Sequence, residues 1–351
     1  MDTVDRAAGD DGATGPSRRR RRWRVAAIAA VVLAVAVGVP LLVYQVSVQP
    51  GVAIARGVFE RGDAVIAGPG VPIERDTVST HLAIPVPVDG APDARLDVYA
   101  PRDAEAGADL PVVLWIHGGG FISGSPAALA GYTTVLADAG YVVASLEYSL
   151  APEVRYPAPV LQAEAALTYL RENAATYGGD ASRVVVGGDS AGAQIASQVA
   201  AVETSPALAD EMGVTPALGP DELRGAILFC GLYDMDTVGS TGFPGLRTFL
   251  WSYTGHRDWW MFPAIDQLST TQQVTGAYPA TLLAVGDADP FEPQAQELAA
   301  ALDGSDVDVS TVFWEDAGLG HEYQFDFRRP EARETLDATL AFLTRVTEEG
   351  S

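Results

Sequence analysis

From Thr77 onward the chain alternates short apolar, β-branched runs with helix-patterned stretches, and that alternation limits the fold more than any other feature. The strand-like runs are His81 to Val86, Ala94 to Ala100, Pro111 to Ile116, Val142 to Leu146, Arg183 to Gly187, Ala226 to Cys230, Thr281 to Val285 and Asp308 to Phe313. Helical patterns lie between them, as at Pro157 to Asn173, Gln194 to Thr204, Pro293 to Leu302 and Glu331 to Val346. Strands separated by crossover helices make a mostly parallel sheet with helices on both faces, so the order predicts one α/β domain of eight strands over residues 77–348. A composition 48% hydrophobic is ample for its core. A ligand site is then expected beyond the carboxyl ends of the strands.

The segment before this domain follows a different logic. A polar tail, residues 1–24, ends in Arg18 to Arg22 and Arg24, and an uncharged apolar run follows over residues 25–48. About 20 apolar residues in a helix cross roughly 30 Å of hydrocarbon, and arginines on one flank predict that this end stays cytoplasmic. The reading is a single-pass membrane anchor with the domain outside the cell. A cleaved signal is the alternative, since Ala53-Ile54-Ala55 supplies a small-x-small site and a product beginning at Arg56. Residues 49–76, mixed in Gly, Pro and charge, read as a linker running into the start of a cap.

Without residues 1–24 the chain holds 15 Arg against 42 acidic residues, a charge of −27, which repels nucleic acid. Cys230, the single cysteine, excludes an internal disulfide and reads as strand filler.

Directly after the run Arg183 to Gly187 stands Gly188-Asp189-Ser190-Ala191-Gly192. A serine on a sharp turn from strand to helix needs small residues two before and two after it, because the backbone is strained there and the hydroxyl must clear the sheet. The spacing names the Ser190 hydroxyl as a nucleophile. After the strand ending at Ile116 comes His117-Gly118-Gly119-Gly120-Phe121, where three glycines leave backbone N–H groups open to an approaching oxygen. Attack on an ester carbonyl makes that oxygen an anion, and each aimed N–H contributes on the order of 3 kcal/mol to the transition state. The N–H of Ala191 supplies a further donor.

A serine hydroxyl needs a base, and four histidines are available. His117 belongs to the glycine motif, His81 lies on an early strand, and His256 sits in a long aromatic insertion. His321 follows the last strand, giving the chain order serine, acid, histidine, and is the expected base. The acid should come from Gly286-Asp287-Ala288-Asp289-Pro290, after the penultimate strand. Asp289 is preferred because the turn before Pro290 points its carboxylate back to the sheet edge, whereas Asp287 is placed to bond local backbone.

Between Cys230 and Thr281 lie Tyr233, Phe243, Phe249, Trp251, Tyr253, Trp259, Trp260 and Phe262, an aromatic density that fits a cap over about residues 232–278.

These motifs carry a resemblance that extends from about Arg95 to Phe342. The chain resembles the hormone-sensitive-lipase-like family of α/β-hydrolase esterases, through His117 to Phe121, through Tyr148-Ser149-Leu150-Ala151-Pro152-Glu153 with Tyr156-Pro157-Ala158, and through Gly188 to Gly192. The resemblance implies the α/β-hydrolase fold with a cap built from the amino-terminal segment and the insertion. It also implies an oxyanion hole from Gly119, Gly120 and Ala191. Three departures stand out: Ser149 replaces the usual arginine, Gln162 replaces a frequent aspartate, and Glu322-Tyr323 replaces a common Gly-Phe.

The expected activity is a serine carboxylesterase for short- to medium-chain acyl esters, working through Ser190, Asp289 and His321 with no metal or cofactor. An amidase, formamidase or carbohydrate deacetylase of the same fold is an alternative, and an inactive binding module on the same scaffold is another.

Overall fold

A computed structural model describes residues 18–66, 77–104 and 107–348. The tail over residues 1–17 and the stretch 67–76 of the expected linker lie outside the described residues. The chain divides into two units at Pro50. In the first, helix α1 (Arg18–Val46) carries the stretch Arg20–Val39, which is long and apolar enough to cross a membrane. Its large apolar side chains, Ile28, Leu33 and Leu42 among them, are exposed.

Helix α2 (Gln49–Ile66) occupies what the sequence reading takes as linker. Pro50 is tolerated because it sits in the first turn, where its missing N–H has no partner to lose. Val52, Arg56 and Phe59 recur at helical spacing, and tertiary contacts of that face override the helix-weakening Gly51 and Gly57.

The larger unit holds an eight-stranded sheet of β1 (Val78–Val86), β2 (Ala94–Pro101), β3 (Leu110–Ile116), β4 (Val142–Glu147), β5 (Gly179–Asp189), β6 (Leu223–Phe229), β7 (Ala280–Val285) and β8 (Val309–Phe313). Their spatial order is β1-β2-β4-β3-β5-β6-β7-β8. Among the described residues, only the pairings of β2, with β1 and with β4, are antiparallel. All eight strands coincide with expected runs to within a few residues.

The sheet is flanked or capped by α3 (Ala130–Asp138), α4 (Ala158–Asn173), α5 (Ala191–Thr204), α6 (Pro206–Met212), α7 (Leu246–Thr254), α8 (Thr270–Gln273), α9 (Glu292–Asp303) and α10 (Pro330–Glu348). Val112 to Ile116, Val184 to Val186 and Ala226 to Phe229 are fully buried, as befits strands covered on both faces.

Strand order reverses around β3, which lies between β4 and β5. The crevice beyond the carboxyl ends of β3 and β5 is the place where such sheets bind ligands.

Two of the departures noted in the sequence answer each other. The Gln162 side chain accepts the Ser149 N–H at 2.8 Å and donates to the Ser149 hydroxyl at 2.8 Å. It also donates to the Pro92 carbonyl at 2.7 Å. A neutral hydrogen-bonded pair thus stands where an arginine and an aspartate are usual.

Candidate active site

β5 runs into α5 through Ser190, whose φ of 51° and ψ of −118° put it in a strained conformation. The flanking glycines have steric reasons. A Cβ on Gly188 would lie 2.6 Å from the Gly192 backbone, and one on Gly192 would overlap the Ile116 carbonyl. The turn is fastened by the Ser190 N–H, which donates to Phe229 O at 2.8 Å.

Ser190 Oγ lies 2.9 Å from His321 Nε2, and His321 Nδ1 lies 2.8 Å from Asp289 Oδ2. The three groups come from the ends of β5 and β7 and from the loop after β8. Asp289 is fully covered, while the His321 side chain keeps 22% of its surface exposed. The carboxylate also accepts the Phe291 N–H at 2.9 Å, which leaves it oriented toward the imidazole.

Asp287 has other work: it accepts the N–H groups of Ala317, Gly318 and Leu319 at 2.7, 2.9 and 2.8 Å. These donors, Leu319 first, hold its carboxyl below the usual carboxylate range.

The N–H groups of Gly119, Gly120 and Ala191 have no acceptor among the described residues, and all three residues line the same pocket as Ser190 and His321. Each glycine of the motif is sterically required. A Cβ on Gly118 would collide with the Asp189 carboxylate, on Gly119 with the Ser123 carbonyl, and on Gly120 with the Phe249 ring.

His117 is buried, and burial pulls its pKa down to about 4, so it is neutral. Its Nδ1 donates to the Gly118 carbonyl at 2.7 Å, and its ring stacks on Tyr148 at 4.4 Å. It props the loop.

Asp189 is buried behind the nucleophile, where it accepts Trp115 Nε1–H at 2.9 Å and the Gly118 N–H at 2.7 Å. Burial raises its pKa to about 6 despite those donors. Its neighbour is the carboxyl of Glu322, a residue held at φ 64°. Trp115 and Gly118 donate to the Asp189 carboxyl and so favour its ionised form. Burial, followed by the Asp189 charge, pushes the Glu322 carboxyl well above its ordinary range.

Glu322 Oε2 accepts Gln324 Nε2–H at 2.9 Å, and Oε1 lies 3.7 Å from His321 Nε2. Ligand-type atoms of Cys230, His321 and Glu322 lie within 4.8 Å of one another. His321 Nε2 in that group also faces Ser190 Oγ, at 2.9 Å.

Above the triad the pocket is apolar. Phe59 of α2, Phe243, Leu246 and Phe249 of the insertion, Leu232 and Phe291 wall it. Phe243 meets the His321 ring edge-on at 4.8 Å and stacks on Phe291 at 4.2 Å. Tyr253 and Trp259 are buried, whereas Trp260 is exposed. Phe59 and Arg56 fall in the segment expected to be linker and are not foreseen as site residues; the helical spacing of Val52, Arg56 and Phe59 is the signal that marks them.

The family described as alpha/beta hydrolase fold matches residues 113–324. Carboxylic ester hydrolase LipN of Mycobacterium tuberculosis is 32% identical over 80% of this chain and 74% of its own length. Esterase LipQ of the same organism is 27% identical over 72% of this chain, which spans 60% of LipQ. Among solved structures, inhibited esterase B from Lactobacillus rhamnosis superposes with a TM-score of 0.75 at 25% identity, covering 86% of this chain and 97% of that one.

Proposed function

The chain belongs to the α/β-hydrolase family, on its hormone-sensitive-lipase-like branch, and from that premise we propose that it is a serine carboxylesterase acting on short- to medium-chain acyl esters. The observation that carries the reading is the hydrogen-bonded line from Ser190 Oγ to His321 to Asp289, at 2.9 and 2.8 Å, beside three backbone N–H groups without acceptors.

Ser190 attacks the ester carbonyl as His321 Nε2 takes its proton, and Asp289 holds the imidazole tautomer and stabilises imidazolium. Negative charge develops on the carbonyl oxygen facing Gly119, Gly120 and Ala191. His321 returns the proton to the leaving alcohol, an acyl-Ser190 ester remains, and water attacks it by the same route in reverse. Phenylalanines wall the pocket that holds Ser190, which favours an alkyl acyl chain.

The parent protein should hydrolyse p-nitrophenyl esters and label with a fluorophosphonate, and Ser190→Ala should lose both, with kcat falling on the order of 10⁶-fold. An unlabelled, inactive parent sinks the reading and leaves a binding module. Cleavage of anilides in preference to esters would move the chain to the amidases.

We further propose that residues 25–48 anchor the enzyme in a membrane, with the arginine flank cytoplasmic and the catalytic unit outside. The exposed apolar side chains of α1 support an anchor. Against cleavage after Ala55, the cut would fall inside α2, removing the buried Val52 and freeing the end that bears Arg56. Intact mass of the cell-derived protein tests it: a secreted species beginning at Arg56 refutes the anchor.

A further inference from the structure

Three successive residues of the glycine-rich loop, Gly119, Gly120 and Phe121, have φ of 111°, 61° and 64°. Backbone of this kind persists only where its surroundings over-determine it, above all at a residue with a side chain such as Phe121.

Part of the hold is local, since the Ile122 and Ser123 N–H groups both donate to the Gly119 carbonyl at 3.1 Å. A second part comes from the neighbouring loop: Ala151 N–H donates to the Phe121 carbonyl at 2.9 Å. A third comes from the cap, where Tyr253 stacks on the Phe121 ring at 3.9 Å.

The last part is Arg56 of α2. Its Nε–H donates to the Ile122 carbonyl at 2.8 Å, and Nη2 donates to the Ala151 carbonyl at 2.9 Å. The same guanidinium meets both oxygens of Glu153, through Nη1 at 3.0 Å and Nη2 at 2.7 Å. One planar fork therefore ties together the carboxyl end of the glycine loop and the loop that braces it, a geometry for which Arg is suited and Lys is not.

We propose that Arg56 is a positioning residue for ester hydrolysis: through it α2 holds the Gly118–Ile122 loop so that the Gly119 and Gly120 N–H groups stay aimed at the reacting carbonyl oxygen. The inference rests on the esterase reading and adds to it that the helix next to the apolar span belongs to the catalytic apparatus. Phe59, one helical turn on, walls the pocket from the same element.

A merely structural role makes a different forecast. The Arg56 and Glu153 side chains are 32% and 56% exposed, and an exposed pair of this kind adds little to stability. Misplacing an oxyanion donor, by contrast, costs up to about 100-fold in rate for a shift of about 1 Å.

The test compares Arg56→Ala, Arg56→Lys and Glu153→Gln in the full-length protein with p-nitrophenyl butyrate, with kcat expressed per Ser190 titrated by a fluorophosphonate. We expect kcat to fall about 10–100-fold in both Arg56 variants while KM moves less than about threefold, because the donors act on the transition state rather than on ground-state binding. Glu153→Gln keeps the two carbonyl bonds and should lose less than about threefold in kcat.

Unchanged kcat per titrated site in the Arg56 variants, whatever their melting temperature, overturns the proposal. So does a Glu153→Gln loss equal to that of Arg56→Ala, which would trace the effect to the ion pair. If Arg56→Ala does not fold, Arg56→Lys decides by the same criterion. Failure of the esterase reading itself looks different, as an unlabelled and inactive parent.

Discussion

The Asp287 carboxylate accepts the Leu319 N–H at 2.8 Å, two residues before His321, so one aspartate holds the loop on which another aspartate's partner rides. Of the two aspartates it is Asp289 that touches the imidazole, at 2.8 Å.

Replacing each aspartate separates orientation of the base from support of its loop. Asp289→Asn should lower kcat about 10⁴-fold, because an amide stabilises the wrong imidazole tautomer and no imidazolium. Asp287→Asn leaves the triad intact and should cost only about tenfold through a loosened loop. Steady-state kinetics on one ester check both, and equal losses would assign the acid wrongly. The Asp287 contribution also has a sign with pH: its carboxyl is held below its ordinary range, so loop support is present above the unfolded value and is lost as pH falls through the folded one.

The preference for Asp289 could be argued from sequence because its neighbour Pro290 and its distance from the strand end constrain a local turn. The strands were legible for a related reason: burial on both faces leaves uninterrupted apolar runs. The glycines at 118–120, 188 and 192 were legible because sterics act over a few residues. What escaped depends on contacts between distant segments. α2 is a helix because Val52, Arg56 and Phe59 find partners, against the propensity of Gly51 and Gly57. Likewise, Glu322 meets Asp189 across 133 positions of sequence, and Ser149 with Gln162 replaces an ion pair that neither residue announces alone.

Glu322 carries a proton in the folded protein at a pH where the unfolded chain would have lost it. Unfolding therefore releases that proton, and the unfolded state binds fewer protons than the native state. Stability from this group is complete below its unfolded value and drains away as pH rises toward the folded one. Glu322→Gln keeps the shape and the neutral form, so its melting temperature should fall less than the parent's between pH 5 and pH 9, by about 2–4 °C. A parallel fall in both proteins would mean that Glu322 is ionised in the fold.

A second buried carboxyl lies far from the pocket, between α4 and α5. Glu164 is buried beside Glu203, which accepts the Ala217 and Leu218 N–H groups at 2.7 and 3.1 Å. Desolvation first, then the Glu203 charge, push the Glu164 carboxyl well above its usual range. Glu164→Gln should be neutral near pH 4 and raise the melting temperature by about 2–4 °C at pH 8, with activity at pH 7 unaltered. Calorimetry at the two pH values checks it, and a lower melting temperature at pH 8 would contradict the protonation assignment.

Phe249 ties substrate choice to the oxyanion loop, because a Cβ on Gly120 would sit 2.9 Å from its ring while the ring also walls the pocket. Gly120→Ala has two separable consequences: strain at a φ of 61°, and a collision with Phe249. Removing the ring as well should relieve only the second. Gly120→Ala is expected to lower kcat about 10²-fold, and the Gly120→Ala, Phe249→Ala pair to recover about tenfold of that loss, a coupling expected of residues in contact. Phe249→Ala alone opens the pocket beside the carbonyl carbon. Its kcat/KM optimum should move to acyl chains about two carbons longer, since each added methylene buried is worth about 0.8 kcal/mol where room exists. Chain-length profiles for the three variants check this. An unshifted optimum would place the acyl chain elsewhere, and additive losses in the pair would leave backbone strain as the whole effect of the alanine.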